Sequence, residues 1–128
     1  MTRRTIFLAV AALVLGTTVW AHHSMSALFD INDKITISGT LSKIDWRNPH
    51  IELFVETKRG GGAETWSLEG PSPGFFRERD IKKSDIEAAL NKTVTAEASR
   101  ARDGSKSGLL RIMTLPDGTL ISACPQNC

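Results

Sequence analysis

The sequence predicts an all-β domain with a helical insertion, closed as a small OB-fold-like five-stranded Greek-key barrel. Three observations predict it. Ile35, Ile37 and Leu41 alternate with Thr36, Ser38, Thr40 and Ser42, and Ile51, Leu53 and Val55 resume the alternation, which is the period of half-buried strands. Three strand-like runs precede one helical stretch, and two or three follow it; a helix between the third and fourth of five short strands suits a barrel that removes most exposed edges. Turn chemistry separates the runs, at Asn48-Pro49, Gly60-Gly61-Gly62, Asp103-Gly104 and Asp117-Gly118. An open β-sandwich is the alternative.

Residues 1–21 have the three parts of an export signal: Arg3 and Arg4, an apolar run from Ile6 to Leu15, and the small-x-small ending Val19-Trp20-Ala21. The apolar run is short for a bilayer span of roughly 20 residues, so cleavage after Ala21 is expected, with a periplasmic or secreted product. Thr2 to Phe7 also resembles a twin-arginine signal, although paired arginines are common in ordinary secretory leaders. Arg3 and Arg4 carry the whole formal net charge of +2, so the mature chain is formally neutral. That neutrality speaks against nucleic acid and, after cleavage, against a membrane surface as partner. Residues 22–128 suffice for one modest core and are too few for two domains.

Residues 22–33 lack sustained alternation and read as an N-terminal arm that Met25, Leu28 and Phe29 could pack against the domain. The barrel is expected over residues 34–123. Within its first strand the phase slips, because Ile44 and Trp46 are apolar at even positions, so a β-bulge belongs near Ser42-Lys43 and a bend at Gly39. Asn48-Pro49 then turns the chain and leaves His50 at the mouth of the turn. Thr65 to Leu68 is the next strand. Gly70-Pro71-Ser72-Pro73 opens the helical insertion with Ser72 as N-cap and Pro73 at the first helical position. A second helical turn begins at Ser84, with Glu87 completing a capping box and Asn91 as its end. Strands are expected again over residues 93–98, 109–115 and 119–123, and the predicted core includes Ile37, Leu41, Leu53, Val55, Leu68, Val94 and Ile112. Cys124 and Cys128, the only cysteines, form a C-terminal tail over residues 124–128. In an oxidising compartment their default is a local disulfide, with a soft Cu(I) pair as the sharper alternative.

His22-His23-Ser24, Phe29-Asp30, Gly39-Thr40, Trp46-Arg47-Asn48-Pro49-His50, Trp66 with Glu69-Gly70, and Asp103-Gly104-Ser105 form a pattern. In these residues the chain resembles a family of short exported bacterial proteins classed as a domain of unknown function. The resemblance covers nearly the whole mature chain and implies no activity. The tail from Cys124 lies outside the pattern.

All three histidines fall at two places, His22 and His23 at the expected new terminus and His50 in the turn. A free N-terminal histidine can chelate through its amine and imidazole Nδ1, and a further nitrogen, from His23 or His50, would complete the set that Cu(II) prefers. Copper is therefore the candidate cofactor and His22, His23 and His50 its candidate ligands. The bland reading is a frayed terminus beside a turn histidine that only hydrogen bonds. Signatures of hydrolases, zinc peptidases, phosphate loops and dinucleotide sites are absent, and catalysis is not expected. Asp45 and Glu52, flanking the turn, could be drawn as paired carboxylates but read as solvent-facing partners of basic residues. The competing function is a metal-independent binding or envelope-interaction module for a small ligand, with Trp46, Trp66 and Phe54 as an aromatic platform if they share a face.

Overall fold

A computed structural model describes residues 24–124. A short helix α1 (Ser24–Leu28) leads into the long strand β1 (Phe29–Asp45), followed by β2 (Glu52–Arg59) and β3 (Gly62–Glu69). Two short helices, α2 (Pro73–Arg77) and α3 (Lys83–Glu87), precede β4 (Thr93–Ala101), β5 (Ser107–Thr114) and the short β6 (Leu120–Ser122). β1 pairs antiparallel with both β2 and β4, β2 with β3, and β4 with β5. A parallel contact of β3 with β5, from Ser67↔Ser107 to Glu69↔Leu109, closes the five strands into a ring. The fold is thus all-β with small helical pieces, a closed five-stranded barrel with β6 added beside β5.

The alternation seen in the sequence sets which side chains fill the barrel. Ile37, Leu41, Leu53, Val55, Leu68 and Val94 are buried, joined by Ile51, Trp66, Ala96, Ala98, Leu110 and Met113. The expected bulge in β1 is present: Leu41 pairs with Val55 and Lys43 with Phe54, leaving Ser42 as the extra residue. Its hydroxyl donates to Phe54 O at 3.2 Å, and past it Ile44 packs against the core.

Ile112 departs from the expected core and is half-buried. The reason is a second bulge, in β5: Glu97 pairs with Ile112 but Ala98 with Leu110, so Arg111 is unmatched. The phase reverses there, and Leu110 and Met113 take the inward positions.

The segment expected as an arm supplies α1 and the start of β1. Phe29 and Asp30 pair with Ala101 and Arg100, and the ladder resumes at Lys34↔Ser99, so Ile31, Asn32 and Asp33 bulge out of the sheet. Arg102 clamps this entry, its amide donating to Leu28 O at 2.9 Å and its Nε to Ser26 O at 3.0 Å.

Ser72 caps α2 as expected, accepting from the Phe75 amide at 3.3 Å, with Pro73 following. The insertion then splits at Asp80, ahead of the second helical turn expected from Ser84. Asp80 stands at φ 61°, its amide donating to Arg77 O and that of Ile81 to Phe76 O, the bond pattern of a Schellman end. The expected capping box at Ser84 and Glu87 is displaced by two residues. Lys82 is the extended residue before α3, and its amide donates to Asp85 Oδ2 at 2.8 Å. Glu87 instead pairs with Lys83 at 3.0 Å. Asn91, at φ 61°, ends this segment and its amide donates to Leu41 O at 2.8 Å.

Two exposed aspartates hold the last turns. Asp103 accepts from the Ser105 amide and Asp117 from the Thr119 amide, each at 2.9 Å. Bonds from the Ser105 hydroxyl and amide hold the Asp103 carboxyl below its usual value; bonds from the Thr119 amide and hydroxyl do the same for Asp117. A depressed carboxylate supports the fold above its unfolded value and loses that support as the pH falls through the folded one. The Ser105 and Thr119 amide resonances should therefore titrate together with Asp103 and Asp117, with midpoints below that of an unstructured aspartate. Midpoints at the unstructured value would show that these bonds do not persist in solution.

Candidate functional site

The turn that carries His50 is built from both of its sides. Trp46 leaves β1 and packs on Phe76 of α2, with ring centroids 5.3 Å apart, and Phe76 meets Phe75 edge-on at 5.4 Å. Arg47 reaches back to Asp45 at 2.9 Å. The Asn48-Pro49 bond is cis. Ile51, fully buried, then fixes the exit: its amide donates to Pro71 O at 3.1 Å and its carbonyl accepts from Gly70 N at 2.9 Å. His50 is thereby held beside the end of β3.

There Nδ1 of His50 lies 2.5 Å from Oε1 of Glu69, the two side chains being 42% and 29% exposed. An ionised carboxylate only accepts, so the Nδ1 proton belongs to the imidazole. In the neutral ring the lone pair is then on Nε2. A carboxylate that fixes the tautomer and orientation of a histidine is the outer-sphere arrangement common behind metal-ligating imidazoles.

His50 lines a cleft of ≈ 730 Å³ together with Met25 of α1, Ile31, Asn32 and Lys34 of the β1 bulge, Gly70 and Pro71 after β3, Leu109, Leu110 and Arg111 of β5, and Ala123 and Cys124. Its wall is mainly apolar, with His50, Lys34 and Arg111 as the cationic or titratable members. Arg111 Nη1 also contacts the buried Ser99 hydroxyl at 3.3 Å. Cys124 is disulfide-bonded and offers no thiolate to the cleft; Cys128 lies outside the described residues.

Of the residues singled out in the sequence, His22 and His23 lie outside the described residues, and His50 is in the cleft. Met25, three residues beyond His22, lines the same cleft. Among the described residues no three His, Cys, Asp or Glu side chains converge into a metal set. Asp45 and Glu52 face each other in the β1–β2 register but are separately engaged, Asp45 by Arg47 and Glu52 by the Ser67 hydroxyl. Trp46, Trp66 and Phe54 do not make a platform. Trp66 is 8% exposed inside the barrel, Trp46 packs against Phe76 of α2, and Phe54 lies under Lys43, whose Nζ is 5.0 Å from the ring centroid. The residue that sequence reasoning missed is Glu69. Its link to His50 depends on the β2–β3 register and on the Ile51 bonds; in the sequence it stood only within the Trp66 and Glu69-Gly70 pattern, with nothing to tie it to His50.

Fold and cleft define a small closed β-barrel with an oriented histidine at the rim of an apolar hollow. Residues 10–111 match the family described as a family of unknown function, DUF6152, and the chain belongs to that family. Neither the curated proteins nor the solved structures contain a significant match.

Proposed function

We propose that this is an exported barrel protein that binds a transition metal, copper foremost, at the His50 cleft. The observation that carries the reading is the His50–Glu69 pair, which leaves Nε2 as a ready donor. The remaining donors come from the N-terminus freed by cleavage, His22 through its amine and imidazole, and His23. Three residues of extended chain reach about 10 Å, so the position of Met25 on the cleft wall leaves His22 within range of it. Met25 is also available as a soft axial contact. Binding requires that the amine and the imidazoles be free of protons, so affinity falls in acid.

The test is a Cu(II) titration with paramagnetic resonance on protein beginning at an authentic His22. His50→Ala, and a form with one alanine added before His22, should each bind at least about tenfold more weakly, and Glu69→Gln about tenfold more weakly. Equal binding by all four proteins would remove the metal reading. The second reading, a metal-independent module, is favoured by the volume and apolar wall of the cleft, which suit a small organic ligand.

A further inference from the structure

β1 has two neighbours, but not along the same residues. Its ladder with β4 extends from Phe29↔Ala101 to Thr40↔Thr93, whereas its ladder with β2 begins only at Thr40↔Glu56 and runs to Asp45↔Glu52. From Lys34 to Ser38, therefore, one edge of β1 has no ladder partner among the described residues, and β2 closes up on it at Gly39. The edge of β2 from Thr57 to Arg59 that faces this gap is also outside the β1 ladder, while its other edge stays paired with β3 as far as Arg59↔Gly62. A groove of ≈ 410 Å³ opens between the diverging strands. It shares no lining residue with the His50 cleft.

The groove is basic. Lys58, Arg59, Arg100 and Lys106 line it, against Glu64 as the one lining acid, on a chain whose formal net charge is only +2. Arg100 is matched by Asp33 at 2.9 Å and Lys106 by Glu64 at 3.3 Å. Lys58 and Arg59 are exposed and have no ion pair among the described residues. Free strand edges are rows of peptide donors and acceptors, the template on which an extended segment adds as a strand. A bare anion would use the cations and leave the edges unmatched, and single-stranded nucleic acid would need an exposed stacking surface, which the inward Trp66 does not provide.

We propose that this groove docks an extended acidic peptide segment of a partner protein. Its backbone pairs with the free edge of β1 or β2, and its carboxylates face Lys58 and Arg59. The probe is a fluorescent peptide alternating Glu and Val, titrated at low salt and followed by anisotropy. The Glu-to-Gln peptide should bind about tenfold more weakly, as should the Lys58→Glu/Arg59→Glu protein, and added salt should weaken the acidic peptide. Lys82→Glu/Lys92→Glu, the same charge change away from the groove, should keep most of the affinity. A peptide with its carboxylates retained and alternate amides N-methylated should lose about tenfold, because it cannot donate to a strand edge. The proposal is overturned if the Glu and Gln peptides bind alike, if the Lys58/Arg59 reversal has no more effect than the control, or if the N-methylated peptide binds as well as its parent. Full displacement by equimolar inorganic phosphate would likewise assign the groove to a simple anion. Unchanged circular dichroism and melting in both reversals establish that the comparison is between folded proteins, and Lys58→Gln/Arg59→Gln, a milder change, should show the same direction.

Discussion

Gly39→Ala should lower the stability of the barrel by about 3 kcal/mol, the upper part of the range for forcing a group into packed structure. A Cβ at this position would lie 2.2 Å from the Glu56 carbonyl oxygen and 2.9 Å from its carbon. Those are backbone atoms of the neighbouring strand and cannot rotate away. Relief requires β1 and β2 to separate where their ladder begins, at Thr40↔Glu56. In a domain of this size the melting temperature should fall by roughly 10–20 °C. A loss below about 1 kcal/mol would mean that the strands approach less closely than described. The same contact sets where β1 and β2 start to diverge, so Gly39 stands at the apex of the basic groove.

Phe76→Ala should cost about 3–5 kcal/mol. Phe76 is fully buried in the helical layer over the barrel end, and it touches both Trp46 and Phe75. Removing its ring leaves a cavity and takes the support from Trp46, the first residue of the turn that ends in His50. Chemical denaturation gives the energy; a red shift of tryptophan emission and faster amide exchange from Trp46 to Ile51 in the folded protein give the local effect. Phe76→Leu, which keeps most of the volume, should cost less and leave the turn protected. If exchange at the turn is unchanged in Phe76→Ala, the turn is held by the Ile51 bonds alone.

Much of the barrel is legible in the sequence because the strands alternate. Ile37 and Leu41 face inward by period two, and the shift to Ile44 and Trp46 requires the bulge found at Ser42. Ser72-Pro73 declares a helix start by its own chemistry. Other features leave no such trace. The bulge at Arg111 sits in a run where Leu109, Leu110, Ile112 and Met113 are all apolar, so either phase reads equally well, and only pairing with β4 selects Leu110 and Met113. The break at Asp80 rests on an aspartate in a left-handed conformation, which side-chain periodicity does not register. The cleft joins α1, the β1 bulge, the His50 turn and β5, and its lining is set by closure of the ring. His50 could be picked out alone, whereas its partner Glu69 is fixed only by bonds between strands and the turn that are distant in sequence.

β5 has strands on both flanks: β4 along one side, and on the other β3 beside its first residues and β6 beside its last. The piece that closes the ring is therefore also the last of the five ring strands to leave the ribosome. Until Ser107 to Thr114 emerge, the outer edges of β3 and β4 have nothing to join, and a nascent chain stopped short of β5 presents two open flanks to its surroundings. Closure of the barrel waits on the emergence of that one strand, and a chain translocated before that point would travel without a finished core.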